Sequence, residues 1–154
     1  GVYKAESINF FANFLSKHDL EIYGFDSFQG LEENWTTDEF HAVGTFALTK
    51  NPKVSKNVKI IKGKVQNTLE NFLKDKINKK IIFIHMDMDT YGATKYTLTK
   101  IKTLLTKGSV ILFDNFYGYP NWQQHEYKAF TEEFNEKEYK YIAFCESEVA
   151  VEIL

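Results

Sequence analysis

The sequence predicts a single α/β domain whose sheet is mostly parallel, with an antiparallel hairpin at its C-terminal edge. Three observations predict it. Ile81, Ile82, Phe83 and Ile84 are too uniformly apolar for a strand with one wet face, which marks a strand covered on both sides. Segments with helical and with strand periodicity alternate along the chain. The last two apolar segments are joined by Glu146 and Ser147 alone, too short a link for a parallel crossover, so they pair antiparallel.

The elements follow in order. Ile8, Phe11, Ala12 and Leu15 recur at helical spacing after Ser7, which is expected to cap a first helix ending near Lys17. Residues 21–25 form a short strand ending at Asp26, and residues 27–35 a loop. Periodicity is poor over residues 36–57 and Pro52 interrupts them, which predicts a mobile excursion with one short helix around residues 38–41. A long loop beside a site often serves as a lid. Val58–Lys62 is the next strand and Gly63 its turn, after which Leu69, Phe72, Leu73 and Ile77 mark a helix.

Beyond the central strand, Thr90 is expected to cap a helix with Tyr91, Leu98, Ile101 and Leu105 on its inner face, stopped by Gly108 near Lys107. Residues 109–113 repeat the apolar strand and end on Asp114 and Asn115. The loop over residues 115–120 leads to a helix with Trp122, Ala129, Phe130 and Phe134 inward and many acids outward. Tyr139–Cys145 and Glu148–Ile153 are the closing strands. No internal repeat, linker or low-complexity segment interrupts this plan.

Composition narrows the function classes. With 154 residues, 44% hydrophobic and 26% charged, the chain suits one globular domain with a proper core. A formal net charge of -2, with acids interspersed among the lysines, offers no basic footprint for nucleic acid or an anionic membrane. Cys145 is the single cysteine, which excludes an internal disulfide framework and fits a reducing compartment. No signal peptide or membrane-length apolar run is present, so the cytoplasm is the expected location. Aromatic residues at 16% either line a site for a flat or sugar-like ligand or fill the core.

The chemistry concentrates where the apolar strands stop. In an open α/β sheet, ligands sit just beyond the carboxyl ends of the strands, where Asp87, Asp89, Asp114 and Asn115 fall. Two neighbouring strands that finish on acids point to a metal. Each residue has a plainer reading beside this one. Asp87 and Asp89 suit a helix start, where the dipole favours acids, and Asp26 suits a turn. His85, inside the strand, reads as a core histidine, His41 and His125 as surface groups with His41 in reach of a substrate, and Cys145 as a small buried hydrophobe. Tyr117, Tyr119 and Trp122 form either an acceptor wall or packing beneath the last helix.

Several blocks together carry a resemblance. Gly1-Val-Tyr-Lys-Ala-Glu-Ser7, Tyr23-Gly-Phe-Asp-Ser-Phe-Gln-Gly-Leu31 with Trp35, the segment from Gly63 to Leu69, His85-Met-Asp-Met-Asp-Thr-Tyr91, and Ile111-Leu-Phe-Asp-Asn115 with Trp122 resemble the macrocin O-methyltransferase family. That family comprises Rossmann-like class I enzymes that use S-adenosylmethionine and magnesium to methylate sugar hydroxyls of natural products. The likeness spans nearly the whole chain.

It implies a role for each matching residue. Gly1 and Ser7 would belong to the loop that lets the methionine part of the cofactor approach the backbone. Asp26, with Ser27 beside it, would accept hydrogen bonds from the ribose hydroxyls, and Gln66 would lie by the adenine. Asp87, Asp114 and Asn115 would hold magnesium, and Asp89 would take the proton from the acceptor hydroxyl. An aspartate of ordinary pKa, about 4, is a feeble base for a free alcohol, but beside a metal it need only relay the proton.

In two respects the sequence departs from the family. The pattern carries an aspartate where Asn115 stands, so the metal site has one charge fewer. The family's first strand, which lies between the strands ending at Asp26 and Asp87, would precede Gly1, so the chain is expected to be N-terminally truncated. Backbone groups flanking such a gap lack partners, which favours self-association. Other classes share single features. Asp-Met-Asp also resembles the metal-binding pair of nucleotide-sugar glycosyltransferases, and Asp-x-Asp-Thr that of phosphatases with an aspartyl nucleophile, while an inactive methyltransferase-like domain is the non-enzyme alternative. The residues name no acceptor; a sugar-like hydroxyl is carried by the resemblance.

Overall fold

The structure, a computed structural model, describes every residue except Asp19, Ile77 and Asn78. Ile77, expected to extend the apolar stripe of the second helix, therefore lies outside the described residues.

Helix α1 (Glu6–Leu15) buries Ile8 and Ala12, the spacing its sequence predicts. Its start differs from expectation. Ala5, at φ 66°, precedes the helix without a side-chain cap, and Ser7 falls inside the first turn. The Ala5 N–H bonds to the Val2 carbonyl at 2.8 Å, so a backbone turn sets the entry in place of a serine hydroxyl.

Strand β1 (Ile22–Asp26) runs parallel to β4 (Val58–Lys62), with Asp26 opposite Lys62. Between them, β2 (Trp35–Thr36) and β3 (Phe40–His41) form a small antiparallel hairpin where a short helix was expected. The Thr37 N–H donates to Glu39 O at 2.9 Å and closes the turn. The Trp35 and His41 rings stack with centroids 5.1 Å apart, a cross-strand pairing that overrides the weak helical spacing of the segment.

Helix α2 (Val65–Lys74) leads to β5 (Ile81–Met86), and α3 (Tyr91–Ile101) to β6 (Leu105–Phe113). The α3 helix ends at Ile101 and β6 begins at Leu105, so Gly108 does not stop a helix at Lys107; it lies inside the strand at φ 87°. The cause is a bulge. Pairing slips from Ile81 opposite Leu105 to Phe83 opposite Val110, and the buried Ser109 hydroxyl donates to Ile81 O at 2.6 Å while accepting the Thr106 N–H at 2.9 Å. Thr90 occupies the cap position of α3, but its hydroxyl makes no capping bond.

Helix α4 (Glu126–Glu133) then precedes β7 (Tyr139–Cys145) and β8 (Glu148–Ile153), the predicted hairpin. The order in the larger sheet is β5-β6-β8-β7, parallel between β5 and β6 and antiparallel beyond. Among the described strands β1 and β5 do not pair, so the sheet is divided between them. Ile82 is consequently 63% exposed, which corrects the expectation that β5 is covered throughout. Phe83 and His85 of β5 instead face Phe11 of α1, at ring-centroid distances of 5.0 and 5.4 Å. Cys145 is exposed rather than buried, because β7 is the outer strand and its side chains beyond Tyr139 face solvent.

The main core gathers Met86, Leu98, Ile111, Phe113, Phe130 and Val151 between the larger sheet and helices α3 and α4. A smaller one, built on Val2, Ile8, Ala12, Phe28 and Val58, holds α1 against β1 and β4. Burial of this apolar surface is the main favourable term that fixes the strand ends described next.

Candidate active site

The acids leave the sheet side by side. Met86 and Phe113 are partners in the parallel ladder of β5 and β6, so Asp87 to Asp89 and Asp114 to Asn115 begin at the same level. The Asp114 N–H donates to Met86 O at 2.9 Å and extends the ladder into the two loops. At the end of β1, Asp26 O accepts the Gly63 N–H at 2.9 Å, which joins the turn after β4 to the same rim. These ends enclose a cavity of about 400 Å³, within the usual range for small-molecule sites.

Asp26 organises one side. One carboxylate oxygen accepts the Val2 and Tyr3 N–H groups at 2.7 and 2.8 Å, and the other accepts Phe28 N–H at 2.6 Å. A carboxylate has about four acceptor positions, so one remains for a ligand hydroxyl. The turn and ligand readings of Asp26 are therefore compatible. The Gly1 nitrogen reaches the carbonyl of Asp87, linking this side to β5.

Opposite Asp26, negative charge accumulates. Asn115 Nδ2 lies 3.0 Å from Asp114 Oδ2 and 3.3 Å from Asp89 Oδ1. Burial, then the Asp87 and Asp114 carboxylates, push the Asp89 acid up to about 7. Asp89 also holds a left-handed backbone conformation, φ 59°, costing a non-glycine residue on the order of 1 kcal/mol. Such strain is typical of functional turns. His85 Nε2 is 3.3 Å from Asp114 Oδ1, so this mostly buried histidine touches the acid cluster from behind instead of being sealed in the core.

The remaining wall is aromatic. Phe46 meets Tyr3 and His41 at centroid distances of 5.4 and 5.5 Å, and Trp35 meets Tyr119 at 6.0 Å. The loop carrying Trp35 and Phe46 is pinned to itself: Leu31 N–H donates to Thr45 O and Gly44 N–H to Leu31 O, both at 2.9 Å. Gly30 permits this closure, since a Cβ there would stand 2.3 Å from Thr45 O. Tyr119 donates its hydroxyl to Asn115 O at 3.0 Å, and burial raises its acid pKa. Of the three expected wall residues, Tyr119 touches Trp35 without lining the cavity, while Trp122 packs on Tyr127 and Tyr117 on Phe144.

Of the residues singled out in the sequence, Gly1, Asp26, Ser27, Asp87, Asp89, Asp114 and Asn115 line the cavity. Ser7 and Gln66 do not. Ser7 lies in the first turn of α1, and the Gln66 side chain donates to Glu32 at 3.2 Å while its buried Oε1 has no partner among the described residues.

Glu126 is the residue the sequence reading missed. Many acids of this helix are expected to face outward, yet Glu126 is fully buried, accepting Met88 N–H and Asn115 N–H at 3.2 Å each. Burial, added to repulsion from Asp89 and Asp87, raises its pKa well above the usual carboxylate range against the pull of the two backbone donors. A signal was present: Glu126 stands three and four residues before Ala129 and Phe130, which puts it on the apolar stripe.

The donor set suits a hard cation in chemistry, since carboxylate and amide oxygens with unneutralised charge are what magnesium prefers. The side chains are not drawn in around one. Among the described residues no three His, Cys, Asp or Glu side chains stand in a metal-ligating arrangement. Among the same residues, no helix is long and apolar enough to cross a membrane.

Comparison with known proteins agrees with this architecture. A solved structure of the calicheamicin methyltransferase CalS11 matches with a TM-score of 0.82 at 21% identity, covering 99% of this chain and 69% of that one. The apo structure of CalS11, described as a TDP-rhamnose 3'-O-methyltransferase, gives 0.72 at 19% identity, and the O-methyltransferase NovP 0.73 at 17%, each with the same coverage. Identities this low show a shared fold. No curated protein sequence matches. A family model described as a methyltransferase domain matches residues 1–116, the part that carries β1 to β6 and every acid that lines the cavity. That match names the methyltransferase domain at large, not the macrocin enzymes in particular, and on it the chain belongs to the methyltransferase-domain family.

Proposed function

We propose that the protein transfers a methyl group from S-adenosylmethionine to a hydroxyl of a sugar-like small molecule, assisted by magnesium. The observation that carries this reading is the convergence of Asp87, Asp89, Asp114 and Asn115 on one cavity that Asp26 also lines. S-adenosylmethionine brings a methyl group that is already electrophilic. What remains for the protein is to align donor and acceptor and to relieve the hydroxyl of its proton.

Each residue then has a task. The free acceptor position of Asp26, with Ser27 beside it, takes the ribose hydroxyls, and Gly1 lets the methionine part approach the backbone. Gln66 and Ser7, which do not line the cavity, are assigned to the donor side by the family resemblance alone. Asp87, Asp114 and the Asn115 amide oxygen would hold magnesium, which as a Lewis acid eases deprotonation of an alcohol. Asp89, whose acid is raised to about 7, accepts the proton. Trp35 and Phe46, which line the cavity, offer apolar surface for the acceptor ring.

Titration calorimetry with S-adenosylhomocysteine, with and without magnesium, tests the proposal. Binding of the nucleoside is expected. Preference for a sugar nucleotide would move the Asp-Met-Asp motif to glycosyl transfer, and silence toward both would leave a methyltransferase-like domain without transfer activity.

A further inference from the structure

We propose that Glu126 is a positioning residue for the acid cluster, acting as a two-pronged clamp across the loops that follow β5 and β6. The inference rests on the proposed metal-assisted transfer for its functional meaning, and on geometry for its existence.

Glu126 opens helix α4 and is fully buried, and its two carboxylate oxygens are divided between two chains of backbone. Oε1 accepts the N–H of Met88, the residue between Asp87 and Asp89, and Oε2 accepts the N–H of Asn115, the residue after Asp114, each at 3.2 Å. The peptides it holds are therefore those that orient all four side chains assigned to the cation and the proton. Nothing else in the structure bonds to both loops in this way among the described residues.

The turn at Met88 gives the clamp something to hold. Thr90 N–H folds back on Met88 O at 2.5 Å while Asp89 takes its left-handed conformation, so this turn stores strain that an anchor must oppose. On the other loop, Ser147 Oγ donates to Asp114 O at 3.1 Å and Tyr119 donates to Asn115 O, which fixes carbonyls but leaves the Asn115 N–H to Glu126.

The two donors fall on different oxygens of the Glu126 side chain. An amide in its place keeps one acceptor oxygen and turns its own NH2 toward the other donor. A buried acid group is expensive even when it holds its proton, so a residue that served packing alone would be better apolar.

The test compares the unaltered protein with Glu126→Gln and Glu126→Asp. In the unaltered protein, the backbone amide protons of Met88 and Asn115 should be shifted downfield and slow to exchange. In Glu126→Gln, S-adenosylhomocysteine affinity should stay within about twofold, because Asp26 is untouched, while magnesium affinity measured by calorimetry falls about tenfold or more and kcat drops with it. Glu126→Asp, which keeps both oxygens on a shorter arm, should recover part of the magnesium affinity. Where the unaltered protein binds magnesium, equal binding by Glu126→Gln overturns the proposal. So does rapid exchange of the two amides in the folded unaltered protein, a readout that stands even if the variant does not fold. If the unaltered protein ignores magnesium or the nucleoside but protects both amides, the functional reading fails and the clamp survives.

Discussion

Asn115 and Asp89 meet across the cavity, Nδ2 to Oδ1 at 3.3 Å, and so join the loop after β6 to the loop after β5. The same amide nitrogen reaches Asp114 at 3.0 Å, so a neutral donor sits between carboxylates that would otherwise only repel one another. A cation there would require the amide to turn and present its oxygen.

Asn115→Asp should therefore tighten magnesium binding by about tenfold, since affinity for hard cations rises with the number of ligand charges. Without metal the same change removes a donor and adds a like charge, which should lower the thermal midpoint. Paired melts with and without magnesium check both signs.

Asp89→Asn should lower kcat by about 100-fold or more, the scale of a lost general base, with the affinity for S-adenosylhomocysteine unchanged. An equal loss of nucleoside binding would show that Asp89 serves the donor side instead.

Asp26 links stability to donor binding. Asp26→Ala strands three backbone N–H groups, at Val2, Tyr3 and Phe28, and should cost about 3 kcal/mol in urea denaturation while abolishing nucleoside binding. Asp26→Asn keeps one acceptor oxygen and should fall between.

The bulge in β6 makes a prediction about the fold alone. Ser109→Ala removes a buried hydroxyl that bonds Ile81 O and Thr106 N–H and should destabilise the protein by about 1 to 3 kcal/mol, leaving nucleoside affinity intact.

Much of this was legible in the residues. Strands β4, β7 and β8 were read at their observed limits because apolar runs are bounded there by turn residues, and Asp87 and Asp114 were placed on one rim because an apolar strand that stops on an acid ends at a ligand edge. Other features depended on partners distant in sequence. The start of β6 looks like the tail of a helix until Ile81 claims the Ser109 hydroxyl, and the hairpin at Trp35 and His41 exists through their stacking. The Ser7 cap failed because a backbone turn at Ala5 did its work. Glu126 was misread because charge was weighed above position: its spacing to Ala129 and Phe130 places it inward, and only the two amides brought to it by β5 and β6 make that burial tolerable.

In the proposed function the acids beyond β5 and β6 bind a divalent ion beside the site for the methyl donor. The most direct measurement is a paramagnetic titration of Mn2+ into the complex with S-adenosylhomocysteine, for the unaltered protein and for Asp87→Ala. One bound ion is expected in the first and none in the second, with the nucleoside still bound in both. Equal Mn2+ binding by the two proteins would contradict it.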